Sequence, residues 1–516
     1  MPHVHPLLIR RLLDTLPGAR LVETHISWVI VAGDLAYKLK KPLDLGFLDF
    51  STLEKRRFCC EEEIRLNRRL APDIYLEALP VTGSPEAPEW GGEGLVLDWA
   101  VKMRAFPADV TLDKTVKLEA EAIDAIAVRV AAFHDEIAAA GEDSPHGEAA
   151  RIRQPVADNF TQLRVLPLPD EAHPLLDELE SRSLREGKRL EAHFAARKRA
   201  GFIRECHGDL HLGNIAWVND APLIFDGIEF NPGLRFIDVI SEVAFLMMDL
   251  MHRGETALAW RFLNRYLEQR GDYAGLPALR YYLGYRALVR AKVAALRAHQ
   301  AEEVADFSEC QTYLRLANTL THPPSAALLL MHGVSGSGKT VISQNLLEAL
   351  GAIRLRSDVE RKRLFGLDAS QRSTQVPGGI YTRHAGERTR AHLQQISGAL
   401  LTEGFCVIVD ATFIAPEWRT PFIGLARTQD CPWLLISPQV DLEALRRRVM
   451  HRQHLGNDAS EADLGVLEAQ WHAQVPLNTE ETAHAVPVAP GTDLAWLAAH
   501  VTQRLHTQLF SLPASS

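Results

Sequence analysis

Residues 27–40 (SWVIVAGDLAYKLK) form two apolar-rich runs, rich in β-branched and aromatic residues, on either side of Gly33-Asp34, which predicts two strands joined by a tight turn. The densely charged residues 51–70 predict a helix, and residues 95–106 a further strand running into a connector. Apolar positions then recur at helical spacing among the alanines of residues 118–140. Short strands and tight turns return between Cys206 and Asp226, and residues 237–316 are helical again. The segment Thr321-His322-Pro323-Pro324-Ser325 breaks the pattern, because two prolines cannot continue a helix and favour an extended connector. Beyond it an apolar strand over residues 327–331, a glycine loop and a helix over residues 341–350 begin a new α/β domain. The expected organisation is two domains, residues 1–322 and 323–516, the first with two lobes.

The second domain carries the sharper chemical signal. Gly333-Val334-Ser335-Gly336-Ser337-Gly338-Lys339-Thr340 satisfies G-x-x-x-x-G-K-[ST] between a strand and a helix. Glycines let such a loop turn tightly, so that successive N–H groups point at phosphate oxygens and the following helix N-terminus adds positive potential. Lys339 supplies charge to the β- and γ-phosphates, and Thr340 a hydroxyl to Mg²⁺. A second apolar strand over residues 404–410 ends in Asp410, the natural second ligand of that magnesium, although a strand-end aspartate can also simply cap a turn. Asp358, after the strand-like residues 352–356, stands where an acceptor hydroxyl would be met and deprotonated; a helix N-cap is its plainer role. Arg448 and Arg452 lie four apart on one helix face and suit a lid that neutralises the transferring phosphoryl group, or else a solvated basic face. Taken in order, these residues make the region from about 326 to 510 resemble the P-loop kinase-type ATPases with a mobile lid, akin to polynucleotide kinase, gluconate kinase and zeta-toxin-like proteins.

The first domain carries a different phosphotransfer signature. His207-Gly208-Asp209-Leu210-His211-Leu212-Gly213-Asn214 fits H-x-D-x-x-x-x-N, and Asp226-Gly227 follows at the end of an apolar strand. Asp209 suits the hydroxyl of an acceptor, Asn214 and Asp226 suit metal, and His207 suits bracing of the loop. This pattern resembles the aminoglycoside phosphotransferase branch of the protein-kinase-like fold over residues 20–320. The resemblance implies a small-lobe lysine paired with a helix glutamate. Lys38 and Lys40 share one strand face, with Lys38 preferred; Glu61, Glu62 and Glu63 are available on the helix, with Glu63 preferred. No G-x-G-x-x-G loop stands near Gly33, and no A-P-E segment follows Asp226-Gly227 within the first domain, which disfavours a protein kinase.

Two resemblances together imply a mixed α/β and α+β chain: a bilobal protein-kinase-like domain followed by a P-loop domain with a parallel sheet and helical lid. They imply ATP and Mg²⁺ at both sites. The expected activity is a tandem ATP-dependent phosphotransferase. The alternatives are a nucleotide-sensing module gating one kinase, and a nucleic-acid repair kinase acting on a 5′ end. Charge narrows the acceptor. With 56 basic and 66 acidic residues the chain is no general nucleic-acid coat. Residues 231–320 hold ten acidic and eleven basic side chains, so no acidic excess awaits a polycation, and aminoglycosides are expected to be poor substrates. Arg286, Arg290 and Arg297 instead form a basic stripe suited to an anionic, small-molecule or nucleotide-like acceptor. Six cysteines without C-x-x-C spacing predict reduced thiols. No apolar run reaches the ~18 residues that span a bilayer, so a soluble cytoplasmic protein without a membrane partner is expected.

Overall fold

A computed structural model describes residues 4–46, 48–300, 306–322, 325–369, 371, 373, 379–455 and 462–511. The side chain of Arg452, one of the two expected lid arginines, lies outside the described residues. By proximity of backbone positions the chain divides into two compact units: residues 1–168 with 176–249, and residues 169–175 with 250–516. That division falls within the helix Val239–His252, whereas the proline pair suggested residue 322.

The first unit opens with a six-stranded antiparallel sheet. Its strands run in the order Arg20–Glu23, Ser27–Ala32, Leu35–Lys40, Val96–Arg104, Tyr75–Ser84 and Ala87–Trp90. Strict alternation sorts the two faces. Tyr37 and Leu39 join Ile30, Val81 and Ala100 in a core closed by Leu8, Ile9 and Leu12 of the helix Val4–Asp14. Lys38 and Lys40 therefore project from the opposite face. The helix Leu53–Asn67 begins at Thr52, whose side chain accepts the N–H of Lys55. Its buried residues include Arg56, Cys60, Glu63, Ile64 and Asn67, spaced three and four apart along one stripe. The rest of the unit is mainly helical around two small antiparallel strand pairs, Ile203–Glu205 with Phe236–Asp238 and the hairpin Ile215–Val218 with Ala221–Ile224.

The second unit is built on a five-stranded parallel sheet in the order Ile353–Arg356, Cys406–Asp410, Ala327–Met331, Trp433–Pro438 and Ala485–Val488. Ala327–Met331, Cys406–Asp410 and Trp433–Pro438 are buried at every position, as strands covered on both faces must be. The helices Lys339–Leu350 and Leu494–Ser511 pack on this sheet. The helix Thr256–Arg270, written in the sequence before the proline pair, is also part of this unit. The Asn264 side chain acts there as a substitute strand: it donates to the Ala352 carbonyl (2.9 Å) and accepts the Arg354 N–H (2.7 Å) at the sheet edge. Glu268 of the same helix forms a buried ion pair with Arg354 (2.6 Å). Arg286, counted in the basic stripe, is buried in this unit, so the stripe is not one open face.

Candidate active sites

In the first unit the strand Leu35–Lys40 and the helix Leu53–Asn67 bring their charges together. Lys38 Nζ lies 2.9 Å from Glu63 Oε1 and 2.5 Å from Asp226 Oδ1. The other Glu63 oxygen is bonded to Lys40, which also bonds Glu229. Lys40 is fully buried and cannot meet a ligand; Lys38 and Asp226 retain a solvent-facing edge. Burial disfavours the ammonium of Lys38, but the carboxylates of Asp226, Glu63 and Glu229 outweigh it and hold its pKa well above the ordinary value. Burial likewise pushes the Asp226 carboxyl up, and the two lysines more than offset this, so that it stays ionised.

The loop carrying Asp209 is set from behind. His207 Nδ1 accepts the Asp209 N–H (3.3 Å), which leaves the proton on Nε2 for the Phe225 carbonyl (2.8 Å). Burial lowers the His207 pKa and keeps the ring neutral in this role. Two carboxylates of the helix Val239–His252 hold the loop backbone: Glu242 accepts the Gly208 N–H (2.7 Å) and Asp249 the Leu212 N–H (2.9 Å). Asn214 donates to the Asp209 carbonyl (2.9 Å) and carboxylate (3.2 Å). His211 Nε2 stands 3.4 Å from Asp209. Asp226 has φ 62°, a left-handed conformation that costs a non-glycine residue on the order of 1 kcal/mol and gathers at functional sites. It is held by Tyr75, whose hydroxyl accepts the Asp226 N–H (3.0 Å), and by Asn67, which accepts the Gly227 N–H (2.7 Å). The Asp209 and Asp226 carboxylates remain 37% and 46% exposed on this otherwise buried frame, so both can be reached from solvent.

In the second unit Gly333, Gly336 and Gly338 take φ values of 141°, 81° and 94°, which glycine alone adopts readily. A Cβ at Gly336 would sit 3.0 Å from Val449 and 3.3 Å from the Leu445 carbonyl, so the loop must be bare backbone there. Ser337 Oγ is buried without a partner among the described residues, a donor the loop holds ready for an oxyanion. Lys339 Nζ donates to the Val334 carbonyl (2.8 Å). Thr340 Oγ1 (3.0 Å) and Ser343 Oγ (3.3 Å) both donate to Asp410 Oδ2. Val334 and Ser335 belong to the same loop; Val334 packs on Leu445 and Val449 of the helix Leu442–Leu455, and the Ser335 N–H donates to Gln470 (2.8 Å). Arg448 Nη1 reaches the Gly336 carbonyl at 3.4 Å. These residues fit Mg²⁺ and a polyphosphate: hydroxyl and carboxylate for the metal, N–H groups and a lysine for the oxygens. Asp358 is the second residue of the helix Ser357–Leu364 and not its N-cap, and its carboxylate pairs with Arg361 (2.8 Å).

Several residues of these sites were not singled out from sequence. Glu229, Glu242 and Asp249 act through backbone or through Lys40; nothing in their local pattern marks them. Arg361 and Arg390 line the cavity of the second unit, but on helices whose charge looks like ordinary solvated surface.

A family model described as an AAA domain matches residues 328–477. An uncharacterized protein of Mycobacterium tuberculosis is 30% identical over 459 residues, which cover 87% of this chain and 90% of that protein. Among solved structures, a gluconokinase from Sinorhizobium meliloti 1021 superposes with a TM-score of 0.27 at 18% identity, covering 37% of this chain and 97% of its own. A thermostable mutant of an aminoglycoside phosphotransferase, in its apo form, superposes with a TM-score of 0.39 at 13% identity, covering 61% and 97%. Scores of this size say nothing of a substrate.

Proposed function

The chain belongs to one family with that Mycobacterium tuberculosis protein, and from this premise we propose that it is a tandem ATP-dependent phosphotransferase, each unit binding Mg-ATP and passing the γ-phosphoryl group to an acceptor hydroxyl. The observation that carries this is the presence of two self-contained sets of phosphate chemistry. One is Lys38, Glu63, Asp209, Asn214 and Asp226; the other is the loop 333–340 with Asp410. In the first unit Asn214 and Asp226 would hold the metal, and in the second Thr340 and Asp410. Bound Mg²⁺ neutralises phosphate charge and fixes the triphosphate's orientation.

The chain's own residues supply the rest. Lys38, oriented by Glu63, places its ammonium beside Asp226, where phosphate oxygens would lie. Asp209, fixed by Asn214 and by the His207-braced backbone, receives the proton of the acceptor hydroxyl. In the second unit Lys339 and Arg448 converge on the loop backbone, Lys339 at the Val334 carbonyl and Arg448 at the Gly336 carbonyl, placed to counter charge on the transferring group.

A second reading has one unit sensing nucleotide and gating the other. It is favoured by the covalent order of the helices: Glu242 and Asp249, which hold the Asp209 loop, lie on the helix Val239–His252, and the helix Thr256–Arg270 that carries Glu268 begins after a three-residue gap. Glu268 pairs with Arg354, which donates to Ser343 (3.3 Å) beside Asp410. The variants Asp209→Ala and Lys339→Ala, assayed with γ-labelled ATP against a metabolite panel, separate the readings. Loss of a different phosphorylated product in each variant is expected. Loss of one shared product in both would favour gating.

A further inference from the structure

The cavity that Lys339, Thr340 and Asp410 line, about 330 Å³ in volume, is lined as well by Arg356, Asp358, Arg361, Tyr381, Arg390 and Trp418. Among all its lining residues five are cationic and two are carboxylates, an excess beyond what Lys339 and Arg448 bring to a nucleotide. The guanidinium of Arg361 lies over the Tyr381 ring at 4.9 Å, and that of Arg390 over the Trp418 ring at 4.9 Å. A cation drawn to an aromatic face is restrained there by the ring quadrupole, which limits the side-chain freedom it would lose on meeting an oxyanion. Asp358 holds Arg361 by Nη1, while Arg361 Nε is buried without a partner among the described residues. A buried donor left unpaired costs stability unless a ligand completes it. One face of each ring is taken by an arginine, so at most the opposite face is left to a nucleobase.

We propose that Arg361 and Arg390 bind an oxyanion group of the acceptor, so that the second unit phosphorylates compact anionic hydroxy compounds in preference to neutral polyols or nucleic-acid ends. This rests on the kinase reading of that unit. Asp358 gives one oxygen to Arg361 and keeps the other for the acceptor, so anion and reacting hydroxyl are held by one residue pair. The hydroxyl oxygen forms a bond to the γ-phosphorus as the bond from phosphorus to the β–γ bridging oxygen breaks. ADP leaves with that electron pair, and the hydroxyl proton passes to Asp358 and on to water.

The test uses the full chain carrying Asp209→Asn, so that only the second unit transfers phosphate. Gluconate against sorbitol probes a carboxylate, glycerol 3-phosphate against glycerol probes a phosphate ester, and a 5′-hydroxyl oligothymidylate probes a nucleic-acid end. In at least one pair the anionic member should be phosphorylated with a kcat/KM at least about tenfold above its neutral partner. Arg361→Gln, and independently Arg390→Gln, should raise that member's KM about tenfold while the Kd for Mg-ADP, read by calorimetry, stays unchanged. Preference for a neutral compound or the oligonucleotide overturns the proposal. So does an unchanged KM in both folded variants, or the absence of any anionic acceptor although Mg-ATP binds. Failure of Mg-ATP to bind at Lys339 would instead sink the kinase reading beneath it.

Discussion

Glu63 divides its two oxygens between Lys38 and Lys40, and the division separates their roles. Lys40 is buried between Glu63 and Glu229 and serves the frame; Lys38 faces Asp226 and the solvent. Lys40→Met leaves two buried carboxylates short of a cation and should destabilise the first unit by about 3 kcal/mol or more. Lys38→Met should cost far less stability and weaken Mg-ATP binding at that unit about tenfold or more. Urea denaturation beside nucleotide titration checks both, and equal stability loss in the two variants would refute the division. Alternation alone placed both lysines on one face but could not rank them, because which of them is covered depends on Glu229, far along the chain. Glu63 was more legible: it shares a stripe with Cys60, Ile64 and Asn67, whereas Glu61 stands off it. His332 offers a pH-dependent test in the second unit. Burial, with the Arg419 cation behind it, pushes its pKa down to about 4 from 6.5. The unfolded chain therefore binds the proton more readily, so the stability tied to a neutral His332 is intact above pH 6.5 and is lost as pH falls toward 4. The unfolding midpoint of His332→Asn should vary less across that window than that of the wild type.

At the scale of elements, strands and helices near the motifs were legible because short-range signals define them. The buried strand before the glycine loop, the helix after it and the paired strands around Gly33 all appear where periodicity put them. The assignment of the helix Thr256–Arg270 was not legible. It precedes the two prolines, yet it caps the edge strand Ile353–Arg356 through Asn264 and packs Trp260 against the core of the parallel sheet. Side-chain mimicry of a strand has no periodic signature. A fragment of residues 250–516 should accordingly be more soluble and melt higher than one of residues 323–516, which exposes that edge and leaves Arg354 without Glu268. Equal stability of the two fragments would assign the helix to the first unit instead. Asn264→Leu in the full chain should cost about 2 kcal/mol, because two buried backbone groups lose their partners.

For the whole molecule, the decisive feature is that each of the two proposed sets of phosphate-binding residues lies, among the described residues, within one unit. All six cysteines are free and buried, as sparse unpaired thiols suggested, and no described helix is long and apolar enough to cross a membrane. An anionic acceptor was expected from the stripe of Arg286, Arg290 and Arg297, but the cationic cavity is built from Arg356, Arg361 and Arg390, which meet only once the chain has folded. The most direct measurement is the stoichiometry of a non-hydrolysable ATP analogue with Mg²⁺, titrated calorimetrically into the full chain. Two molecules bound per chain are predicted, falling to one in Lys339→Ala, while Lys38→Met weakens binding at the other site about tenfold or more. A single molecule bound by the unaltered chain, abolished by Lys339→Ala alone, would contradict the account.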